Sequence, residues 1–182
     1  MLRKRINALR KKMKKSGVDY ALFLSVEPID DPNIFYFTGF RQERFHSFSC
    51  FIVGPDETTL ILSSLDYARA TGKEAEHVIE KKDRLVSMLK KIIDCRKTIG
   101  VMERLLPHKI SKNFNHIKDI TKDVYELRAV KDAEEIKSIR KACEIANHGL
   151  EYIRNNLERG ISEKKLALGL EDEMIQRGAE GI

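Results

Sequence analysis

The densest group of reactive side chains lies in a short segment, residues 39–46. Four of its residues could contact a ligand: Arg41, Glu43, Arg44 and His46. An arginine binds a carboxylate through two parallel hydrogen bonds, and binding groups gather in loops at the ends of sheet strands. The segment is therefore a candidate binding loop. The same composition also fits a solvated loop anchored by two aromatic residues, Phe40 and Phe45.

The rest of the sequence lacks the patterns of a self-contained catalytic or metal site. Its five histidines form neither H-E-x-x-H nor H-x-H, and its three cysteines, Cys50, Cys95 and Cys143, form no C-x-x-C pair. The nucleophile motif G-x-S-x-G and the two common glycine-rich phosphate motifs are absent as well. We therefore assign no catalytic residue and no metal ligand to these 182 residues.

Composition and charge exclude two large classes of protein. Apolar residues make up 42% of the chain and charged residues 34%, which suits a protein with a core but not a membrane-spanning one. The net charge is +6, and residues 1–15 carry eight basic side chains and no acid, so the basic character belongs to one helix rather than to a nucleic-acid-binding surface. We expect neither a membrane nor nucleic acid as a partner. Unpaired cysteines favour a reducing compartment, so we expect a cytoplasmic protein.

The elements that would position the binding loop follow an α/β pattern. Apolar or β-rich runs predict strands at 20–24, 33–38, 77–80, 98–101 and 116–120, and a hairpin at 47–62. Helical spacing of apolar residues predicts helices at 2–16, 65–72, 84–94 and 110–114. This order predicts a mixed sheet with helices on both faces, in which the binding loop follows the second strand.

From residue 132 onward the sequence predicts two long helices. Asp132 and Glu135 have the spacing of a capping box at the start of the first. Apolar residues at spacings of three and four form what we call the apolar seam: Ile136, Ile139, Cys143, Ala146, Leu150, Ile153 and Leu157. Ser162 would cap the second helix. Its inward-facing residues are expected to be Leu166, Leu170 and Met174. Further apolar residues beside the seam favour packing on a sheet or another helix over a two-stranded coiled coil.

Five short motifs resemble, in order, landmarks of the Xaa-Pro aminopeptidase/prolidase family. Residues 33–40, N-I-F-Y-F-T-G-F, resemble the N-[IL]-x-Y-[LF]-[ST]-G-[FY] strand of its creatinase-type N-terminal domain, and Gly17-Val18-Asp19 precedes a strand as in that domain. Residues 128–136 resemble R-x-x-K-x-x-x-E-[IL], which enters the family's pita-bread metallopeptidase domain. The segments G-I-S-E at 160–163 and R-G-A-E-G at 177–181 match the next two landmarks.

The resemblance implies a fold for each part of the chain. Residues 1–121 would form the creatinase-type N-terminal domain, a ribonuclease-H-like mixed sheet of about six strands with helices on both faces. Residues 122–131 would be a linker. Residues 132–182 would form the first two long helices of an incomplete pita-bread domain.

The resemblance also implies an activity. Members of the family hold two divalent ions, Mn, Co or Zn, with two Asp, one His and two Glu, and the ions activate a water that attacks an Xaa-Pro bond. All five ligand positions would follow residue 181, so none lies in this chain and we expect the chain alone to be inactive. Creatinase, which acts on a small guanidino compound, shares the architecture.

For the N-terminal domain, the resemblance implies a lid and dimerisation module. In a homodimer it would restrict the active site to short proline-containing peptides, with residues 39–46 facing that site. The choice between dipeptidase and aminopeptidase stays open, as does the loop residue that contacts substrate. The alternative is a non-enzymatic module that binds peptides or mediates dimerisation.

Overall fold

A six-stranded mixed sheet lies at the centre of the first part of the chain. The computed structural model describes residues 2–26, 30–42 and 48–180, and its contacts divide the chain into two units, residues 1–129 and 130–182. The strands are β1 (Tyr20–Val26), β2 (Phe48–Val53), β3 (Thr58–Leu62), β4 (His77–Glu80), β5 (Thr98–Val101) and β6 (His116–Asp119). Their order across the sheet is β4-β3-β2-β1-β5-β6, which confirms the short edge strand expected at residues 77–80.

Strand pairing is antiparallel in the middle of the sheet and parallel towards both edges. β2 pairs antiparallel with β1 and with β3, which confirms the predicted hairpin. The pairs β1–β5, β3–β4 and β5–β6 are parallel. Parallel neighbours need crossover connections, and helices supply them in this unit.

Helices cover both faces of the sheet, as predicted. The helices of this unit are α1 (Leu2–Ser16), α2 (Pro32–Thr38), α3 (Ser64–Arg69), α4 (Leu85–Ile92), α5 (His108–Ser111) and α6 (Thr121–Ala129). Buried residues of α1, α2 and α6 pack with one face of the central strands, and those of α4 pack with the other. Two cores result, because successive residues of a buried strand point to opposite sides.

The strand predicted at residues 33–38 is wrong, because this segment is helix α2. The side chain of Asp31 accepts a hydrogen bond from the backbone N–H of Asn33 and so caps the helix start, and Pro32 supplies a first residue with a suitable fixed φ. Gly39 ends the helix in the left-handed conformation, at φ 70°, and its N–H donates to the carbonyl of Phe35. The six strands that remain are the number expected from the family resemblance.

Three phenylalanines form the centre of the core between α2 and the sheet. The ring of Phe37 lies 5.1 Å from that of Phe23 on β1 and 6.4 Å from that of Phe51 on β2, measured between centroids. All three side chains are fully buried. Tilted or offset rings at these separations attract each other in addition to the area they remove from water. Phe37 therefore attaches α2, and the cap at its start, to the sheet.

Helix α6 occupies most of the segment expected to be a linker, residues 122–131. Val124 is fully buried in the core on the side of α1 and α2, so the helix belongs to the first unit. Tyr36 donates from its hydroxyl to the carbonyl of Leu127, over 3.3 Å, and ties the last turn of α6 to α2. Only Val130 and Lys131 separate this helix from the cap of the next one. The exact domain boundary stays a prediction.

The second unit is a pair of helices, α7 (Ala133–Asn156) and α8 (Glu163–Gln176). Its capping box is confirmed: the side chain of Asp132 accepts from the N–H of Glu135, and the side chain of Glu135 accepts from the N–H of Asp132. Ser162 caps α8 as predicted. Among the described residues, no helix has both the length and the apolar character required to cross a bilayer.

Two glycines, rather than the apolar seam, set the contact between α7 and α8. A methyl group added to Gly149 would lie 2.9 Å from a terminal carbon of Leu170 and 3.1 Å from the sulfur of Met174, and one added to Gly169 would overlap the hydroxyl of Tyr152. Leu170 and Met174 thus face α7 as expected. In the seam, Leu150 and Leu157 are each 66% exposed. The helices meet beside the seam because glycines there allow closer approach.

Candidate functional site

The described part of the binding loop lines a small cavity at the end of the central strands. The volume of the cavity is about 200 Å³. Its lining residues are Asp30, Asp31, Pro32, Ile34, Phe35, Phe40, Arg41, Gln42 and Ser49. Of the four predicted contact residues, Arg41 lies at this cavity, whereas Glu43, Arg44 and His46 fall outside the described residues. We call it the Asp31 cavity.

Two serines on neighbouring strands form hydrogen bonds with lining residues on either side of α2. Ser25 of β1 and Ser49 of β2 are direct partners in the antiparallel pair, and both are buried. The hydroxyl of Ser25 lies 2.9 Å from a carboxylate oxygen of Asp30, and that of Ser49 lies 2.7 Å from the side-chain oxygen of Gln42. The sheet thereby fixes the segment before α2 and the segment after it.

Arg41 brings a positive charge to the wall of the cavity. Its side chain is exposed, and its guanidinium carbon lies 5.5 Å from the centre of the Phe35 ring. A guanidinium is attracted to the face of an aromatic ring. Its N–H donors lie in the plane of the guanidinium and stay available there for a carboxylate. The role of this residue in binding an anionic group stays a prediction.

Asp31 is the site residue that the sequence analysis missed. The residue is 2% exposed, and its Oδ1 accepts hydrogen bonds from the backbone N–H and the side-chain amide of Asn33, at 2.9 and 2.7 Å. Its Oδ2 is buried without a hydrogen-bond partner among the described residues. Burial raises the pKa of Asp31 to about 6, against the two bonds from Asn33 and the nearby backbone N–H of Leu24, which lower it. The signal for this residue was present in the sequence, since Asp-Pro is a typical start of a helix.

The donor set of the described residues does not fit a metal centre. No group of three or more His, Cys, Asp and Glu side chains comes together within residues 2–26, 30–42 and 48–180. Hard divalent ions need several oxygen or imidazole ligands around one point. The Asp31 cavity offers instead two carboxyl groups, a guanidinium and an amide, which suit the binding and orientation of a small polar ligand.

Replacing Asp31 with asparagine is expected to stabilise the chain at pH 8 but not at pH 4. The folded state raises the pKa of Asp31 above its ordinary value, so it binds a proton more tightly than the unfolded state, and stability falls as pH rises from about 4 to about 6. Asparagine keeps the oxygen that caps α2 and carries no charge. Urea unfolding should show a gain of about 3 kcal/mol at pH 8, since the pKa rises by about two units and each unit is worth about 1.4 kcal/mol.

A matched variant separates the charge from the cap. Asp31→Ala removes both, and it should destabilise the chain by about 1 kcal/mol at pH 4, where the charge makes no contribution. Equal stability profiles of the wild-type chain and Asp31→Asn across this pH range would contradict the assignment of Asp31 as a buried, easily protonated carboxyl.

The fold and the cavity together define a class of protein: an α/β domain with a mixed six-stranded sheet, followed by a helical pair, with a polar cavity at the end of the central strands. The family model of the creatinase/prolidase N-terminal domain matches residues 5–130. The chain therefore belongs to the creatinase/prolidase N-terminal domain family, which confirms the resemblance of its motifs.

Individual relatives extend the similarity beyond this domain. The chain is 29% identical to an Xaa-Pro dipeptidase of Pyrococcus furiosus, over 98% of this chain and 50% of the relative. Among solved structures, a prolidase from Pyrococcus furiosus matches 97% of this chain and 54% of its own, with a TM-score of 0.79 and 26% identity. An X-Pro aminopeptidase from Thermotoga maritima matches 97% and 50%, with a TM-score of 0.79 and 28% identity. The chain spans about half the length of the curated relatives it matches.

Proposed function

We propose that these 182 residues serve a metal-dependent Xaa-Pro dipeptidase or aminopeptidase as its lid and dimerisation module. The observation that carries this proposal is the family match over residues 5–130, combined with relatives named Xaa-Pro dipeptidase that align over nearly the whole chain. In this proposal the module encloses the active site of a homodimer and restricts it to short proline-containing peptides.

The Asp31 cavity is the part of the lid that would face the substrate. Arg41 stands at its wall with donors suited to a peptide carboxylate, and Asp31 offers an acceptor to a positively charged or N–H group. Glu43, Arg44 and His46 remain further candidates for substrate contact in the same loop. A cavity of about 200 Å³ suits part of a dipeptide rather than a folded chain.

The metal ions of the proposed enzyme, Mn, Co or Zn, would be held by residues outside this chain. Support comes from the relatives named Xaa-Pro dipeptidase, of which this chain matches about half the length. The chain by itself would then bind no pair of ions and would not hydrolyse peptides. Residues 132–182 would contribute the first two helices of the domain that carries the metal site.

The test compares the chain alone with a chimera. The 182-residue chain is assayed with Mn²⁺ or Co²⁺ and an Xaa-Pro dipeptide, and it is expected to release no proline above the blank. A chimera in which the chain replaces the matching half of the Pyrococcus furiosus Xaa-Pro dipeptidase is expected to release proline. The intact relative serves as the positive control. Turnover by the chain alone would contradict the proposal.

A second candidate function is a non-enzymatic interaction module. The observation in its favour is the exposed apolar seam of α7, in which Ile136 and Ile139 are 42% and 49% exposed. Apolar surface of this kind is usually covered by a partner. A chimera that folds and dimerises but binds dipeptide without hydrolysing it would favour this candidate over the first.

A further inference from the structure

Three polar residues from two parts of the first unit form one hydrogen-bonded chain that ends at the Asp31 cavity. Arg128, in the last turn of α6, donates to the side-chain oxygen of Asn33 over 2.9 Å. The side-chain nitrogen of Asn33 donates to Oδ1 of Asp31 over 2.7 Å. Asn33 is 1% exposed and Asp31 is 2% exposed, so the bond between them is buried, whereas the bond from Arg128 is partly buried. Asp31 lines the cavity, whereas Arg128 is not among its lining residues.

The direction of these hydrogen bonds is decided by the chemistry of the guanidinium group. A guanidinium has five N–H donors and no acceptor, so the end of the Asn33 amide that meets Arg128 must be its oxygen. The NH₂ end is then left for Asp31. If Arg128 were absent, the amide could turn over and present its oxygen to Asp31, and only a protonated carboxyl could donate to that oxygen.

We propose that Arg128 is a positioning residue for the Asp31 cavity. By fixing the orientation of the Asn33 amide, it holds Asp31 in the cavity wall as a charged hydrogen-bond acceptor. Asp31 then presents its second oxygen to a cationic or N–H group in the cavity. That the ligand of this cavity is a peptide rests on the proposed function. The orientation of the Asn33 amide by Arg128 does not depend on it.

The other charged groups around Asp31 do not replace this role. Asp30, the adjacent residue, raises the pKa of Asp31 through its negative charge. Arg41 reaches the cavity from the loop after α2, and the strands below contribute the hydroxyls of Ser25 and Ser49 rather than charges. Within the described residues, Arg128 is the cation that the hydrogen bonds of Asn33 connect to this carboxyl.

The chain also contains a matched control for Arg128. The guanidinium carbons of Arg5 and Arg128 both lie over the ring of Tyr36, at 4.3 and 5.8 Å from its centre. Arg5 donates to the backbone carbonyl of Tyr36 rather than to Asn33. Loss of either arginine therefore removes a cation from the same aromatic ring, but only loss of Arg128 frees the Asn33 amide.

The test is a ¹³C NMR titration of the Asp31 carboxyl in the 182-residue chain. Arg128→Met is expected to raise the pKa of Asp31 by about one unit, a tenfold increase in proton affinity. Arg5→Met is expected to leave the titration where it is in the wild type. Arg128→Lys, which keeps a charged group with donors only, is expected to restore much of the wild-type value and covers the case in which the methionine variant does not fold.

A second set of variants, made in the Asn33→Ala protein, distinguishes the effect of amide orientation from the direct effect of the Arg128 charge on Asp31. With Asn33→Ala already in place, Arg128→Met is expected to change the titration of Asp31 little, because no amide remains to be oriented. The same one-unit rise in both backgrounds would assign the effect to charge through space and overturn the proposal, as would an unchanged titration in Arg128→Met. The titration of Asp31 needs no substrate, so its result remains valid even if the proposed peptidase function is wrong.

Discussion

Phe37→Ala is expected to lower the free energy of unfolding of the chain by about 3–5 kcal/mol, the usual cost of emptying a core position of a buried phenylalanine. Its ring is fully buried against the rings of Phe23 and Phe51, so the substitution removes these ring contacts and leaves a cavity in the core. Since domains of this size are stable by only about 5–15 kcal/mol, the loss is a large share of the total. Urea unfolding followed by circular dichroism measures it.

The control for this prediction lies two residues earlier on the same helix. Phe35 is 50% exposed, and Phe35→Ala is expected to cost less than about 1 kcal/mol. In a strand, residues two apart share one face, so both phenylalanines would be buried or both exposed. Similar losses of stability in the two variants would contradict helix α2 and favour the strand that the sequence predicted.

Gly169→Ala is expected to destabilise the second unit by about 2 kcal/mol, although alanine is the better helix former by about 1 kcal/mol. The new methyl group would overlap the hydroxyl of Tyr152 and lie 2.7 Å from the ring carbon that bears it. Tyr152 must then leave the contact between α7 and α8. Hydrogen exchange of the amides in these two helices measures the loss within this unit, independently of the first.

A double-mutant cycle shows whether this contact is the cause. In a Tyr152→Ala background the obstacle is gone, and Gly169→Ala is expected to stabilise α8 by up to about 1 kcal/mol through its helix propensity. The change of sign corresponds to a coupling energy of roughly 3 kcal/mol, the upper end for residues in direct contact. The same destabilisation in both backgrounds would show that the two helices do not meet at Gly169.

Part of the candidate site could be predicted from the sequence, because a dense group of charged and aromatic side chains is visible in any fold. Arg41 was found in this way, and the structure places it at a cavity. The cap at Asp31 has a local signal in Asp-Pro, but the place of Asp31 in a cavity and the role of Asn33 have none, because they depend on segments distant in the chain. Asn33 meets Arg128 across 95 positions, and Ser25 meets Ser49 only through strand pairing.

Local signals in the sequence determined much of the fold. Residues close together in the chain predict the hairpin, the edge strand, the capping box of α7 and the motifs of the family. Over such short distances, the alternation of apolar residues and the capping side chains directly favour one local structure. The tertiary structure decided two other features. Residues 33–38 are rich in β-forming side chains, but such preferences span only about 1 kcal/mol, less than the burial of Phe37 and the cap from Asp31 contribute together. Likewise, α7 meets α8 beside its apolar seam, because the closest approach of two helices depends on where both carry a small residue.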